Sequence, residues 1–244
     1  MTGLRLPLLP AVLLPIALAA CAAPAPTAVA PLPPTPRTVV TLGDSVPAGS
    51  ACDCEPFPQL YARAQHATDV NLAEPGSTAT DLRTALPAER EVLSTAAEVI
   101  IMTGANDLAA DFDPAQDPDY AAIASGVQAD VAASVAAIEQ IHKVPVIVLG
   151  YWNVVLDGRV GADEYGPSGV RAAADATAAI NNALKSAAAQ TGASYVSTFS
   201  AFHGPAGDQD PTTLLASDGD HPNAAGHEAI AALLPPLVES RPPA

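Results

Sequence analysis

Basic and aromatic residues are both scarce in this chain of 244 residues. Lys and Arg number 10 against 26 Asp and Glu, for a formal net charge of −16. So acidic a surface repels phosphate backbones, which argues against nucleic acid as a partner and against any strongly anionic polymer as substrate. Phe, Trp and Tyr make up 4% of the residues, too few to build an aromatic platform for stacked bases. Cysteines number three, an odd count that leaves one unpaired unless it is otherwise committed. No internal repeat is apparent. What is plentiful is aliphatic material: 49% of residues are hydrophobic, mostly Ala, Val, Leu and Ile. A chain of this length and composition can bury a sizeable core in one α/β domain without covalent staples.

The first twenty residues read as an address label. Arg5 supplies a positive charge, and Leu6 to Leu18 form an apolar stretch interrupted by Pro7, Pro10 and Pro15. That stretch is too short for an ordinary transmembrane helix and suits a signal peptide over residues 1–20. It ends in Leu18-Ala19-Ala20-Cys21, which resembles the lipobox of bacterial lipoprotein signal peptides. The resemblance implies that Cys21 becomes the first mature residue and carries lipid. The protein would then be anchored to the outer face of a bacterial membrane, since several acyl chains hold stably where one does not. Plain secretion is the alternative. Residues 21–37 contain Pro24, Pro26, Pro31, Pro33, Pro34 and Pro36, a composition that stays extended and reads as a tether. With Cys21 lipidated, Cys52 and Cys54 remain, separated only by Asp53. They can form a disulfide if the chain bends sharply between them. Two free thiols or a metal site are the other options, the last needing further ligands.

From Thr38 the pattern changes to short β-branched runs alternating with longer Ala-rich segments. Strands are expected at Thr38–Leu42, Val70–Ala73, Glu98–Met102, Val144–Leu149 and Ser194–Thr198. Helices are expected at Pro58–Gln65, Ala79–Leu86, Tyr120–Lys143, Gly169–Gln190 and Ala224–Leu234, with helical spacing clearest in Val127, Val131, Val135 and Ile138. Continuous apolar strands separated by helices predict a parallel sheet covered on both faces. Residues 38–240 should therefore form a three-layer α/β/α sandwich around a central, mainly five-stranded parallel sheet. In such sheets ligands bind at the carboxyl ends of the strands.

The chemically suggestive residues fall at those ends. Gly43-Asp44-Ser45-Val46 follows the first strand. A serine hydroxyl is a poor nucleophile until a base takes its proton, so Ser45 needs a histidine within reach. Asp218-Gly219-Asp220-His221-Pro222-Asn223 stands near the other end. An Asp three residues before a His can fold back onto one imidazole nitrogen and leave the other facing a nucleophile. Asp220 competes for that role, but its adjacent side chain would normally point away, and Pro222-Asn223 marks a helix start. Between these ends lie Gly76, within Asn71-Leu72-Ala73-Glu74-Pro75-Gly76-Ser77-Thr78, and Gly104-Ala105-Asn106-Asp107. Four such blocks in this order, over about 180 residues, resemble the SGNH (GDSL-type) hydrolase family; Val46 stands where that motif has Leu.

The resemblance implies a flavodoxin-like fold and a serine esterase without cofactor or metal. Ser45 would be the nucleophile, His221 the general base and acid, and Asp218 the orienting carboxylate. Gly76, Asn106 and the Ser45 backbone N–H would form the oxyanion hole, whose fixed donors stabilise the charge that develops on the substrate oxygen. Expected substrates are small neutral, lipid or acetylated-sugar esters. A non-catalytic glycan- or lipid-binding module and an O-acyltransferase using the same residues are the alternatives. Asp44 should support the Ser45 turn, and Asp107 should cap or position the loop around Asn106. Asp111-Phe112-Asp113 with Asp117 to Asp119 lacks the EF-hand spacing and reads as a solvated acidic loop. Tyr151 and Trp152 could line a pocket or pack in the core. His66, His142, His203 and His227 show no partner pattern.

Overall fold

The structure is a computed structural model that describes residues 37–115 and 120–238. The expected signal peptide, Cys21, almost all of the tether and Asp117 to Asp119 lie outside the described residues. Five short runs form the strands: β1 (Thr38–Gly43), β2 (Thr68–Asn71), β3 (Glu98–Met102), β4 (Val146–Leu149) and β5 (Ser194–Val196). All neighbours pair in parallel, in the order β2-β1-β3-β4-β5, the flavodoxin-like order. Val40 faces Val70 on one side and Val99 on the other. Val39, Val40, Val99, Ile100, Ile101 and Val148 are fully buried, because helices cover both faces.

The helices are α1 (Ser45–Ala48), α2 (Phe57–Ala64), α3 (Ala79–Ala85), α4 (Arg90–Leu93), α5 (Ala105–Ala109), α6 (Tyr120–Ile141), α7 (Gly158–Thr191), α8 (Phe199–His203) and α9 (Ala224–Leu233), with a 3-10 turn at Pro211–Leu214. Helices α3 to α7 pack together on one face; α2, α8 and α9 pack together on the other. Val127, Val131, Val135 and Ile138 form the buried stripe of α6. The buried alanines of α7, among them Ala173, Ala176, Ala183 and Ala187, let the two long helices approach closely.

Several boundaries differ from expectation, each for a local reason. β2 ends at Asn71, whose side-chain oxygen takes the Ala73 N–H at 3.1 Å and turns the chain away. β4 begins after Pro145, which has no N–H to give to a ladder and only accepts, from Val99. α7 starts at Gly158 rather than Gly169, capped by Asp157. It is two helices joined at Gly166, where the backbone leaves the helical region (φ 61°, ψ −178°), and Pro167 follows. β5 stops at Val196, and the Thr198 hydroxyl donates to the Gly150 carbonyl instead.

Candidate active site

Three loops meet at the carboxyl ends of the strands. The first is the turn out of β1. A Cβ at Gly43 would lie 2.0 Å from the Met102 carbonyl oxygen, so only glycine lets β1 run this close to the end of β3. The next N–H, of Asp44, donates to that same carbonyl at 3.1 Å. Asp44 is fully buried and caps α1 by accepting the Val46 N–H at 3.1 Å; the Tyr151 hydroxyl donates to its second oxygen. Burial pushes the Asp44 carboxyl up to about 6, against the pull of Tyr151, the Val46 N–H and His221. Ser45 is the first residue of α1. Its position is held from behind by Asn71, whose amide donates to the Pro47 carbonyl at 2.7 Å.

The second loop follows β2. The Glu74 N–H and the Ser77 hydroxyl both donate to the Gly43 carbonyl, at 2.9 and 3.0 Å. Between them Gly76 is exposed with φ +83°, and a Cβ there would meet nothing within 4 Å among the described residues. Its glycine thus serves the left-handed backbone rather than clearance from neighbours. The Asn106 amide donates to the Ser77 carbonyl at 2.9 Å and retains a second N–H. Asp107 accepts the Ala79 N–H at 2.9 Å and so caps α3 from α5. Ser45, Gly76 and Asn106 therefore sit on segments knitted together through the carbonyls of Gly43 and Ser77.

The third loop precedes α9. Asp218 accepts the N–H groups of Asp220 and His221 on one oxygen, at 3.0 and 3.1 Å, and meets His221 Nδ1 at 2.8 Å on the other. Burial raises the Asp218 carboxyl, but these donors outweigh it and hold it below its ordinary range. Asp220 lies 3.9 Å from the same nitrogen, beyond hydrogen-bond reach. Asn223 caps α9 through the Gly226 N–H and ties the loop back to the Thr213 and Leu215 carbonyls. The Asp44 carboxylate feels the charges of both His221 and Asp220, so this loop lies near Asp44.

Other side chains resolve differently from one another. Tyr151 and Trp152 are core residues, each 1% exposed, with Trp152 stacked on Phe202 at 4.2 Å. The Tyr151 bond to Asp44 has no signature in a sequence, because it joins distant segments. His66 and His142 are exposed. His203 Nε2 lies 3.0 Å from the Asp157 carboxylate and its Nδ1 3.2 Å from the Gln209 carbonyl. Burial lowers the His203 imidazole, yet Asp157 and the surrounding carbonyls leave it raised overall. This pair borders a cavity of about 440 Å³, lined also by Asn153, Arg159, Val170 and Asp208. The Asp157 N–H donates to Gly219 at 2.7 Å, so the cavity abuts the third loop. His227 is buried with its Nδ1 on the Phe57 N–H.

A parallel three-layer sandwich with a serine, a His–Asp pair and an Asn at its strand ends defines an ester-hydrolase class of protein. The chain belongs to the GDSL-like lipase/acylhydrolase family, whose model matches residues 41–229. No curated protein matches it. Among solved structures it resembles a lipase from a goat rumen metagenome (19% identity, TM-score 0.66, covering 80% of this chain and 94% of that one). It also resembles an acetylxylan esterase from Geobacillus stearothermophilus (18%, 0.59, 81% and 91%) and phospholipase A1 from Streptomyces albidoflavus (22%, 0.56, 82% and 100%). At these identities the likeness shows the SGNH hydrolase fold.

Proposed function

We propose that this protein is a serine esterase that cleaves carboxylic esters through a covalent acyl-serine intermediate. The observation that carries the reading is the Asp218–His221 contact at 2.8 Å, made by a carboxylate already anchored on two backbone N–H groups. A carboxylate so held fixes Nδ1 as the protonated nitrogen and leaves Nε2 to act as base. In the proposed cycle the Ser45 hydroxyl attacks the ester carbonyl and His221 Nε2 takes its proton. The tetrahedral oxyanion accepts hydrogen bonds from the N–H groups of Ser45 and Gly76 and from the Asn106 amide. His221 then protonates the leaving alcohol, and water attacks the acyl-serine with His221 again as base. The steps draw only on these groups and water.

Substrates are small neutral, lipid or acetylated-sugar esters, classes in keeping with the acidic chain and with the esterases and lipases that share its fold. Ser45→Ala is expected to abolish p-nitrophenyl acetate hydrolysis and labelling by a fluorophosphonate probe; a variant as active as the parent refutes the mechanism. A panel of acyl-chain lengths and acetylated sugars then identifies the ester. From the Leu18-Ala19-Ala20-Cys21 motif we also propose that lipid on Cys21 tethers the enzyme to the outer face of a bacterial membrane, with plain secretion as the alternative. Cys21→Ser should move it from the membrane fraction to the medium.

A further inference from the structure

Cys52 and Cys54 are joined by a disulfide across Asp53, with their Cα atoms 5.1 Å apart. A bridge that closes so short a loop removes little freedom from the unfolded chain, so it adds less stability than a long-range one. Both cysteines are partly exposed and Asp53 is exposed, which leaves the bridge open to attack. Beside it lies His227 of α9, fully buried, with a ring nitrogen within 4.8 Å of both sulfurs. Its Nδ1 accepts the Phe57 N–H at 3.2 Å, so the imidazole proton sits on Nε2. Among the described residues that buried Nε2 has no hydrogen-bond partner. An unpaired buried donor is costly, and a state of the site that supplies an acceptor relieves the cost. Reduction supplies one, a thiolate. A soft metal ion suits the same residues less well, since it needs a bare Nε2 and would drive the proton onto Nδ1, against the Phe57 N–H.

We propose that Cys52 and Cys54 form a thiol–disulfide exchange site, in which the His227 Nε2–H holds the thiolate released on reduction. The reductant is a dithiol. Its thiolate attacks one sulfur, giving a mixed disulfide and a cysteine thiolate; its second thiol then displaces the other cysteine. Two electrons pass to the cysteines, one of which takes the proton of the donor's second thiol while the other stays a thiolate; the donor's first proton goes to solvent, and the donor leaves as a disulfide. Asp53 and Glu55 on the same segment oppose the thiolate, Glu55 being paired with Arg63 of α2. His221, at the head of α9, is close enough for its charge to reach His227. The site also adjoins Ser45: the Cys52 N–H donates to the Gly49 carbonyl at 3.3 Å and the Ser50 N–H to the Ser45 carbonyl at 2.9 Å. Opening the bridge should therefore loosen the chain that holds the nucleophile, a consequence that rests on the esterase reading.

The test uses the full chain carrying Cys21→Ser, reduced with dithiothreitol, and follows the rate of alkylation by iodoacetamide against pH. One thiol is expected to ionise at least about one pH unit below the ordinary ~8.5 and to return there in His227→Phe. Two thiols at or above the ordinary value overturn the proposal. Should His227→Phe fail to fold, Cys52→Ser and Cys54→Ser read the same property one thiol at a time, and neither ionising low overturns it. Reduction should also lower esterase turnover by about threefold or more, reversibly, through the shifted nucleophile. Unchanged turnover with both thiols free overturns the link to Ser45. Failure of Ser45 to react in the oxidised protein instead refutes the esterase reading and leaves the thiol chemistry standing.

Discussion

Asp44→Asn separates the structural and electrostatic duties of the residue beside the proposed nucleophile. Asp44 is fully buried, and burial raises its carboxyl from 3.8 to about 6. Below pH ~3 both the folded and unfolded chains hold the proton, and the group makes no difference to stability. As pH rises toward 6 the unfolded chain releases its proton while the folded one keeps it, so stability falls. It levels off once the folded group also ionises. A shift of a little over two pH units corresponds to a loss of about 3 kcal/mol across this window. Asn keeps the cap on the Val46 N–H and cannot ionise, so the variant escapes this loss. Its amide meets the Tyr151 hydroxyl differently, which costs about 1 kcal/mol at every pH. Urea denaturation of parent and variant between pH ~3 and ~7.5 should show the difference in unfolding free energy moving by about 3 kcal/mol in favour of the variant. Turnover should move the other way, falling roughly tenfold at pH ~7.5, because the variant loses the negative charge beside the proposed nucleophile and base. A stability difference that does not change with pH refutes the reasoning.

Asn106→Ala should lower kcat by about 100- to 1000-fold with KM nearly unchanged, because the amide is proposed to act on the oxyanion and not on the bound ester. At Gly76 two explanations of a turn glycine can be told apart. Since a Cβ there has open space, Gly76→Asn, which tolerates φ > 0, should keep more activity than Gly76→Ala by steady-state kinetics; equal losses would mean that bulk is what matters. At the opposite end of the sheet the Tyr61 hydroxyl lies 2.8 Å from the buried Glu98 carboxylate and 2.9 Å from the Pro235 carbonyl. Burial holds Glu98 above its ordinary range despite the Tyr61 hydrogen bond. Tyr61→Phe should cost about 1–3 kcal/mol in chemical denaturation. The cost should grow as pH rises through the Glu98 transition, where the unfolded carboxyl is already charged.

Elements built on period were legible in the sequence. β1, β3 and the stripe of Val127, Val131, Val135 and Ile138 could be placed because burial on both faces of a sheet, or on one side of a helix, leaves a repeat in residue type. The Asp218–His221 pair was legible for a different reason: its partners are three residues apart, so a local fold-back is enough to join them. What lies outside such local patterns was not legible. The helix over residues 158–165 is short and ends in Gly166-Pro167, which hides any period. Tyr151 reaches Asp44 and His203 reaches Asp157 only after the sheet has brought distant segments together. The same holds for Gly76. Its place between two bonds to the Gly43 carbonyl is a tertiary fact, and so is the open space around it.

The way the three loops are held explains why the proposed chemistry divides as it does. The first two share acceptors: the Gly43 carbonyl takes both Glu74 and Ser77, and Asn106 closes the set through the Ser77 carbonyl. The proposed nucleophile and oxyanion donors are thus tied together by hydrogen bonds, as preorganised stabilisation requires. The third loop is fastened separately, through the Asp157 N–H on Gly219, the Asn223 amide on Thr213 and Leu215, and the His227 contact with Phe57. His221 therefore answers to a different part of the protein from Ser45. The Phe57–His227 contact joins the two, since Phe57 follows the Cys52–Cys54 bridge and His227 lies on the helix that His221 precedes. A perturbation there should change the meeting of the proposed base and nucleophile while leaving Gly76 and Asn106 in place, and so lower kcat without removing the stabilisation proposed for Asn106.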